Sequence, residues 1–274
     1  MIRTAISPRL AITTLLSTER HSDSVHIDER VRAHLAASTR FTELELLDVT
    51  DSTNRVVAER AVAGAREGLV VVADLQTAGR GRLDRSWEAE PGAALLVTVL
   101  LRPDDLPSSR WHLLTAAAGL AACRACAEVA GFAPELKWPN DLLVGERKLA
   151  GILAEVTGGA VVVGMGCNVH AAPPGAAWVD EAGGKRVRRV DLLVAWLTAL
   201  DGHLGRWEPL AAAYRQACST VGRRVVVERG HDRLVGLAEG IDDEGRLVVR
   251  VDVGPPVAVA AGDVIHLRPA QGTQ

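Results

Sequence analysis

Apolar runs divide the middle of the chain into predicted strands separated by polar turns. The predicted strands lie at 69–75, 93–101, 135–138, 141–144, 148–156 and 160–169. The first two are continuous apolar runs, as in strands that are buried on both faces, and turns such as Gly145-Glu146-Arg147 separate later ones. The alanine-rich stretch 110–130 has helical spacing instead. The pattern predicts a mixed sheet with helices packed on it.

Three further stretches have helical character. Asp51-Ser52 resembles a helix N-cap, and the apolar stripe that follows predicts a short helix ending near Gly64, which we expect to open the folded part. Residues 190–218 return to helical spacing with one leucine-rich apolar face. Upstream, 28–37 is one possible short helix in a region without a strong fold signal.

The last fifty residues consist of short alternating segments between Gly, Asp and Pro turns. The predicted strands lie at 225–228, 234–239, 247–253 and 257–260. Such a pattern is typical of a small barrel-like β domain. We therefore divide the chain into an N-terminal extension at 1–45, a main domain at 46–220 and a β domain at 221–270.

Composition and charge narrow the function classes. With 274 residues, 48% of them hydrophobic, the chain is long enough for one large or two ordinary domains. A formal net charge of -3 gives no general field for nucleic acid. The apolar stretch 10–16 is interrupted by threonines and too short to span a membrane. Four scattered cysteines fit a reducing compartment, and Cys123 and Cys126 fit helix packing better than redox chemistry. We expect a cytoplasmic protein.

The stretch Gln76-Thr77-Ala78-Gly79-Arg80-Gly81-Arg82 is the strongest candidate for ligand binding. It follows a buried apolar run and places two arginines and two glycines in four residues. Glycines let backbone N–H groups approach an anion, and guanidinium groups add charge and forked donors. The pattern predicts a phosphate-binding loop, with a solvated basic turn as the alternative.

Two more clusters carry polar residues at predicted strand ends. Lys137-Trp138-Pro139-Asn140-Asp141 is followed by Lys148, so two lysines either converge on one pocket or snorkel at a sheet edge. Gly164-Met165-Gly166-Cys167-Asn168 lacks the third glycine of a dinucleotide fingerprint. Its glycines indicate a bulge or a close backbone approach, and Asn168 either presents its amide to a ligand or forms a turn.

Taken in order, these motifs resemble those of biotin protein ligases. The shared segments are Asp-Ser-Thr-Asn at 51–54, Gln-Thr-Ala-Gly-Arg-Gly-Arg at 76–82, Lys-Trp-Pro-Asn-Asp at 137–141, Lys-Leu-Ala-Gly-Ile-Leu at 148–153 and Gly-Met-Gly-Cys-Asn-Val at 164–169. The resemblance covers roughly residues 50–270. It implies an α+β fold: a class II aminoacyl-tRNA synthetase-like catalytic domain, in which helices flank a central mixed sheet, and a C-terminal SH3-like barrel.

The resemblance also implies a two-step ligase reaction. Biotin and MgATP give biotinyl-5′-AMP and pyrophosphate, and a lysine of the biotin carboxyl carrier domain of an acyl-CoA carboxylase then displaces AMP. By the same resemblance Lys148 and Arg80 are catalytic. The implied biotin-binding residues are Ser52, Thr53, Asn54, Gln76, Arg80, Gly81, Arg82 and Lys148.

The nucleotide side of the implied site is less closely defined. The implied ATP or adenylate contacts are Arg85, Lys137, Asn140, Asp141, Asn168 and Trp178. Asp141 is the only carboxylate among them and the candidate magnesium ligand. Trp178 either stacks on adenine or caps the core, and Arg268 is a further candidate contact to the nucleotide. Asp84 stands where the family commonly has a glycine, which predicts weaker phosphate attraction unless Asp84 pairs with Arg85.

Two other readings stay open at this point. Lipoate ligation and octanoyl transfer use a related fold and also acylate a carrier lysine, although the Gly-Arg-Gly-Arg loop and the β module favour biotin. A ligase that is also a transcriptional repressor would carry an N-terminal winged helix. The roughly 45 residues before the first motif show no basic recognition helix, so we expect no specific DNA binding. The sequence is compatible with a monomer or a homodimer.

Overall fold

The structure, a computed structural model, describes residues 27–229, 232–260 and 262–267. Its helices are α1 (Glu29–Ser38), α2 (Thr53–Val62), α3 (His112–Val129), α4 (Val179–Gly183), α5 (Arg189–His203) and α6 (Trp207–Ala217). Its strands are β1 (Glu43–Thr50), β2 (Leu69–Gln76), β3 (Ala94–Leu101), β4 (Glu135–Lys137), β5 (Asp141–Val144), β6 (Arg147–Thr157), β7 (Ala160–Asn168), β8 (Arg224–Arg229), β9 (Asp232–Ile241), β10 (Leu247–Arg250), β11 (Val257–Val259) and β12 (Asp263–His266).

The main domain is built on a seven-stranded mixed sheet in the order β1-β2-β3-β7-β6-β5-β4. Strands β1 and β2 are parallel, and each of the other neighbouring pairs is antiparallel. All of β3 is buried, as its unbroken apolar run predicts. The predicted mixed sheet with packed helices is confirmed.

The two faces of this sheet are covered unequally. Helices α3, α5 and α6 pack into the large hydrophobic core on one face, together with Val31 and Leu35 of α1. On the other face, α2 covers only one end through a small cluster that includes Val57 and Ala61. The rest of that second face is therefore available to form a cleft.

The folded part begins earlier than the sequence predicts. Helix α1 starts at an N-cap, where Asp28 Oδ1 accepts a hydrogen bond from Val31 N at 2.9 Å. Strand β1 follows and pairs with β2, so the expectation that α2 opens the folded part is wrong. Acidic residues alternate with leucines in β1, which lies at the sheet edge, so no continuous apolar run marks it. The stretch 10–16 and Arg268 lie outside the described residues.

Two other boundaries differ from expectation. The helical stretch 190–218 is two helices, because the chain turns at Leu204 and at Gly205, whose φ is +81°. The β domain has a fifth described strand, β12, that was not predicted. Its antiparallel sheet has the order β11-β10-β9-β8-β12.

The β domain packs on the end of the main domain. Trp138 Nε1 donates to Gly245 O at 2.9 Å, and Arg215 Nε donates to Ile241 O at 3.0 Å. These bonds hold the β9–β10 turn against α6 and the segment after β4. Within the described part of the chain, every helix is too short or too polar to cross a membrane.

Candidate active site

The uncovered part of the sheet face forms a cleft of about 730 Å³, including its open mouth. The predicted site residues that line it are Ser52, Thr53, Asn54, Gln76, Arg80, Gly81, Arg82, Arg85, Asn140, Asp141 and Lys148. They come from the start of α2, the end of β2, the loop after β2, and the first residues of β5 and β6 with Asn140 just before β5. The structure therefore brings motifs that are distant in sequence into one cavity.

One end of the cleft is a buried network of neutral polar side chains. Gln76 Oε1 accepts hydrogen bonds from Thr53 N at 2.8 Å and Thr53 Oγ1 at 2.9 Å. Beneath them the fully buried Thr98 Oγ1 lies 2.8 Å from both Thr53 Oγ1 and Asn54 Oδ1. Asn54 Nδ2 donates to Glu155 Oε2 at 2.8 Å. These bonds fix the orientation of the amide and hydroxyl groups before any ligand arrives.

Three glycines on β6 and β7 form the floor of the cleft. Gly151 pairs with Gly166 across the two strands, and Gly164 lies opposite Thr98 on β3. A Cβ on Gly164 would lie 1.9 Å from Asn54 Oδ1, and one on Gly166 would lie 2.4 Å from the indole of Trp87. The glycines noted in the sequence thus mark a close approach of side chains to the backbone, as one of the two interpretations predicted.

Trp87 closes this floor from the side of the loop. Its ring lies over Gly166, and Lys148 Nζ is 5.7 Å from the ring centroid, within cation–π range. Its indole Nε1 is buried without a hydrogen-bond partner among the described residues. Trp87 therefore supplies an apolar wall beside the lysine.

The cationic residues of the cleft are held by different partners. Lys148 Nζ lies 2.7 Å from Asp141 Oδ1, and Arg80 pairs with Glu155 Oε1 at 2.9 Å. Arg82 donates to the neutral Asn140 Oδ1 at 3.2 Å and forms no ion pair with any described residue. Burial lowers the pKa of Arg82, and the charge of Asp141 opposes that shift. Arg82 thus has the least neutralised positive charge in the loop.

We call residues 79–87 the lid hairpin, because the structure folds them back on themselves. Arg80 and Ser86 form an antiparallel bridge, and Trp87 N donates to Gly79 O at 2.9 Å. At the tip, Leu83 and Asp84 have φ values of 55° and 57°. Leucine rarely adopts such a conformation, so the turn is strained by about 1 kcal/mol or more.

The sequence left open whether Asp84 pairs with Arg85. In the structure Arg85 does not pair with Asp84. Its guanidinium instead forms an ion pair with Asp263, the first residue of β12. Asp263 lines the same cleft, so the β domain contributes a side chain to the site. This residue lies far from the motifs in sequence and belongs to none of them.

Three predicted site residues lie outside this cleft. Asn168 lines an adjoining cavity of about 670 Å³ together with Lys148 and Trp87. Its Nδ2 donates to Ala177 O at 3.0 Å, and its buried Oδ1 has no hydrogen-bond partner among the described residues. The half-buried Trp178 directly precedes α4 and is not among the lining residues of either cavity.

Lys137 is the third, and it lies behind the cleft at the end of β4. Burial lowers the pKa of its amine, while the nearby carboxylate of Asp141 opposes that shift. It pairs in register with Asp141 across β4 and β5. Lys137 therefore belongs to the same charged group without lining the cavity.

Sequence reasoning missed four residues that shape the site: Thr98, Trp87, Glu155 and Asp263. Thr98 had a signal, since it is the one polar residue in the apolar run of β3. Glu155 and Asp263 act through contacts between distant segments, which no local pattern indicates.

Comparison with known proteins gives a consistent result over both domains. The chain matches the Biotin/lipoate A/B protein ligase family over residues 46–171 and the Biotin protein ligase C terminal domain over residues 220–267. It is 40% identical to the biotin--[acetyl-CoA-carboxylase] ligase of Mycobacterium tuberculosis, over 92% of this chain and 100% of that protein. It is 29% identical to the bifunctional ligase/repressor BirA of Bacillus subtilis, over 83% of this chain and 75% of that protein.

Solved structures agree with these relatives. The biotin protein ligase from Aquifex aeolicus in complex with biotin and ATP superposes with a TM-score of 0.73 and 26% identity, over 84% of this chain and 100% of that chain. The predicted fold class, a synthetase-like catalytic domain with a C-terminal SH3-like module, is thereby confirmed. The chain belongs to the biotin protein ligase family.

Proposed function

We propose that this chain activates biotin with ATP and transfers it to a lysine of a biotin carboxyl carrier domain. In the first step a biotin carboxylate oxygen attacks the α-phosphorus of ATP, pyrophosphate leaves, and biotinyl-5′-AMP forms. In the second step the lysine amine attacks the acyl carbon and AMP leaves. One observation carries the proposal: a neutral polar network and a group of cations lie in one cleft, on either side of a glycine floor.

The polar network suits the uncharged end of biotin. A ureido ring needs donors and acceptors without net charge, and Ser52, Thr53, Asn54 and Gln76 provide both. The network is already hydrogen bonded internally, so little side-chain ordering remains when the ring binds. The apolar tail of biotin then lies along the glycine floor beside Trp87.

The cations suit the reacting end. A carboxylate and a triphosphate repel each other, and a unit charge at 4 Å offsets that repulsion by about 4 kcal/mol near a protein surface against about 1 in water. Lys148 orients the biotin carboxylate and later stabilises charge on the carbonyl oxygen. Arg80, Arg82 and Gly81 of the lid hairpin hold the α-phosphate side of the adenylate, and Arg82 is available for this without leaving a carboxylate partner.

The nucleotide occupies the adjoining cavity and the charged end of the cleft. The unpartnered Asn168 Oδ1 accepts a hydrogen bond from the amino group of adenine. Arg85 and Asn140 face the phosphates, and Lys137 adds positive charge from behind the cleft. Trp178 serves as a stacking partner only if its loop rearranges, because the structure does not place it in the cavity.

Magnesium enters with the phosphates of ATP. Described residues include no group of three or more His, Cys, Asp or Glu that could hold a metal ion alone. This fits Mg²⁺, which commonly binds through one or two carboxylates together with substrate phosphates, and Asp141 is the candidate carboxylate. When bound, such an ion would supply positive charge to the phosphates. If Asp141 held it, the carboxylate charge would be shared between the ion and Lys148, so Lys148 would be held less strongly and could orient the biotin carboxylate.

The same proposal gives the acceptor protein and the cellular compartment of the reaction. The acceptor is the carrier domain of an acyl-CoA carboxylase, and we expect the reaction to take place in the cytoplasm. We expect no specific DNA binding, and a sequence-dependent gel shift that resists salt would contradict this. Light scattering would measure the mass of the protein in solution and so distinguish a monomer from a homodimer.

The deciding experiment is exchange of labelled pyrophosphate into ATP. We expect exchange that depends on biotin and Mg²⁺, and none with lipoate or octanoate. Exchange with lipoate in place of biotin would replace the substrate assignment with the lipoate ligase alternative. No exchange with any of these acids would refute adenylation by this chain.

A further inference from the structure

The lid hairpin is tied to the C-terminal β domain by one ion pair. Arg85, beside the hairpin tip, pairs with Asp263 at the start of β12. Strand β12 is at the edge of the β domain sheet and is hydrogen bonded to β8 alone among the described strands. The side chain of Asp263 is 27% exposed and lines the cleft. The carboxylate of Asp263 in the β domain thus neutralises Arg85, a cation of the cleft in the main domain.

This pair differs from the others in the cleft. Lys148 and Arg80 pair with Asp141 and Glu155, which belong to the same sheet as the cleft floor. Arg85, by contrast, is held from the other domain. Loss of its pair would therefore loosen the hairpin from the β domain, whereas loss of the others changes contacts within one domain.

When nucleotide is bound, its phosphates compete with Asp263 for the guanidinium of Arg85. It lines the cleft in which, under the proposed function, the triphosphate lies, and a phosphate carries more charge than a carboxylate. We propose that Asp263 is the resting partner of Arg85, and that the phosphates of a nucleoside triphosphate displace it and release the lid hairpin from the β domain. Asp263 is a positioning residue in this scheme, which rests on the proposed function.

Displacement of Asp263 from Arg85 should weaken nucleotide binding by a measurable amount. A ligand that must break an exposed ion pair binds more weakly by the stability of that pair. Exposed pairs correspond to about a 1.4- to 5-fold change in an equilibrium constant. Asp263→Asn should therefore bind a non-hydrolysable ATP analogue about two- to fivefold more tightly than the parent protein, by isothermal titration calorimetry without biotin. If that variant folds poorly in a thermal melt, Asp263→Ser replaces it.

A matched control separates the pair from a general charge effect. Asp84 lies next to Arg85 in sequence, and Asp84→Asn removes one negative charge near Arg85, as Asp263→Asn does. Asparagine also tolerates the positive φ at that position. We expect this variant to tighten binding of the analogue less than Asp263→Asn does, because Asp84 weakens phosphate attraction without being the ion-pair partner of Arg85. Equal tightening in Asp84→Asn and Asp263→Asn would overturn the proposal, because it would show that any lost negative charge suffices.

A double-mutant cycle completes the test. In an Arg85→Ala background, Asp263→Asn should leave the affinity for the analogue unchanged, because the pair is already absent. Affinity that is unchanged or weaker in Asp263→Asn alone would refute the displacement. The parent protein is assayed in parallel for biotin-dependent pyrophosphate exchange. Exchange without the affinity shift defeats only this inference, whereas absence of exchange defeats the proposed function.

Discussion

Replacement of Thr98 by valine tests whether the buried network prepares the biotin end of the cleft. Thr98 Oγ1 is fully buried on β3 and lies 2.8 Å from both Thr53 Oγ1 and Asn54 Oδ1. Valine has nearly the same shape but no hydroxyl, so the substitution removes the one proton that Thr98 offers to Thr53 Oγ1 and Asn54 Oδ1 without creating a cavity. Leaving a buried acceptor without its donor costs about 1–3 kcal/mol.

Loss of these contacts lowers the stability of the protein and, as a separate effect, its affinity for biotin. We expect the free energy of unfolding, measured by urea denaturation, to fall by about 1–2 kcal/mol. We expect the dissociation constant for biotin to rise about tenfold, which corresponds to about 1.4 kcal/mol, because Thr53 and Asn54 lose the bonds that orient them. Affinity for an ATP analogue without biotin should not change, since Thr98 lines neither of the two cavities in which we propose that the nucleotide binds.

Thr98→Ser is the matched control, because it keeps the hydroxyl and removes a methyl group. It should retain biotin affinity within about twofold of the parent protein while losing some stability from the missing methyl group. If Thr98→Val binds biotin as tightly as the parent, the network does not orient the ring. If both variants lose affinity equally, packing at this position matters and the hydrogen bonds do not.

Three further predictions concern individual side chains. Lys148→Ala should reduce biotin-dependent pyrophosphate exchange at least a hundredfold with little change in thermal stability, since the lysine side chain is 43% exposed; an exchange rate like that of the parent would remove it from the mechanism. Arg80→Ala and Arg82→Ala should both release biotinyl-5′-AMP and raise biotinylation of bystander lysines, with the larger rise in Arg82→Ala because Arg80 is already neutralised by Glu155; an unchanged leak in both contradicts the role of the lid hairpin. Burial, aided by the charges of Arg223 and Lys137, lowers the pKa of His266 to about 4. The unfolded chain then binds more protons than the folded one between about pH 6.5 and 4, so stability should fall as pH falls through that range. His266 is partly exposed, so we expect a loss of only about 1–2 kcal/mol, absent in His266→Gln, by urea denaturation at each pH.

Burial explains which parts of the fold the sequence predicts. The first five residues of β2, all of β3 and nearly all of β7 are buried on both faces, so each strand contains a continuous apolar run that is visible without a structure. Strand β1 lies at the sheet edge with acidic residues between its leucines, and its pairing with β2 depends on a contact across α2. Edge strands of this kind have too little apolar pattern to stand out.

The site shows the same division between local and distant signals. Motif residues of β5 and β6 converge because these strands are neighbours in the sheet, and the loop after β2 reaches them across β3 and β7. Trp178 is partly buried and lines neither the cleft nor the adjoining cavity. Asp263 reaches Arg85 across 178 positions of sequence, and only the docking of two domains creates that contact.

The glycine floor has a consequence for ligand choice. Because Gly151, Gly164 and Gly166 lack side chains, Lys148, Asn54 and Trp87 pack directly against the strands and set the depth of the cleft. Asn54 is held by hydrogen bonds to Leu153 O and Glu155 Oε2, so analogues thickened across the bicyclic ring should be refused at that end. Analogues altered near the partly exposed Lys148 meet a side chain that can move and should be admitted more readily.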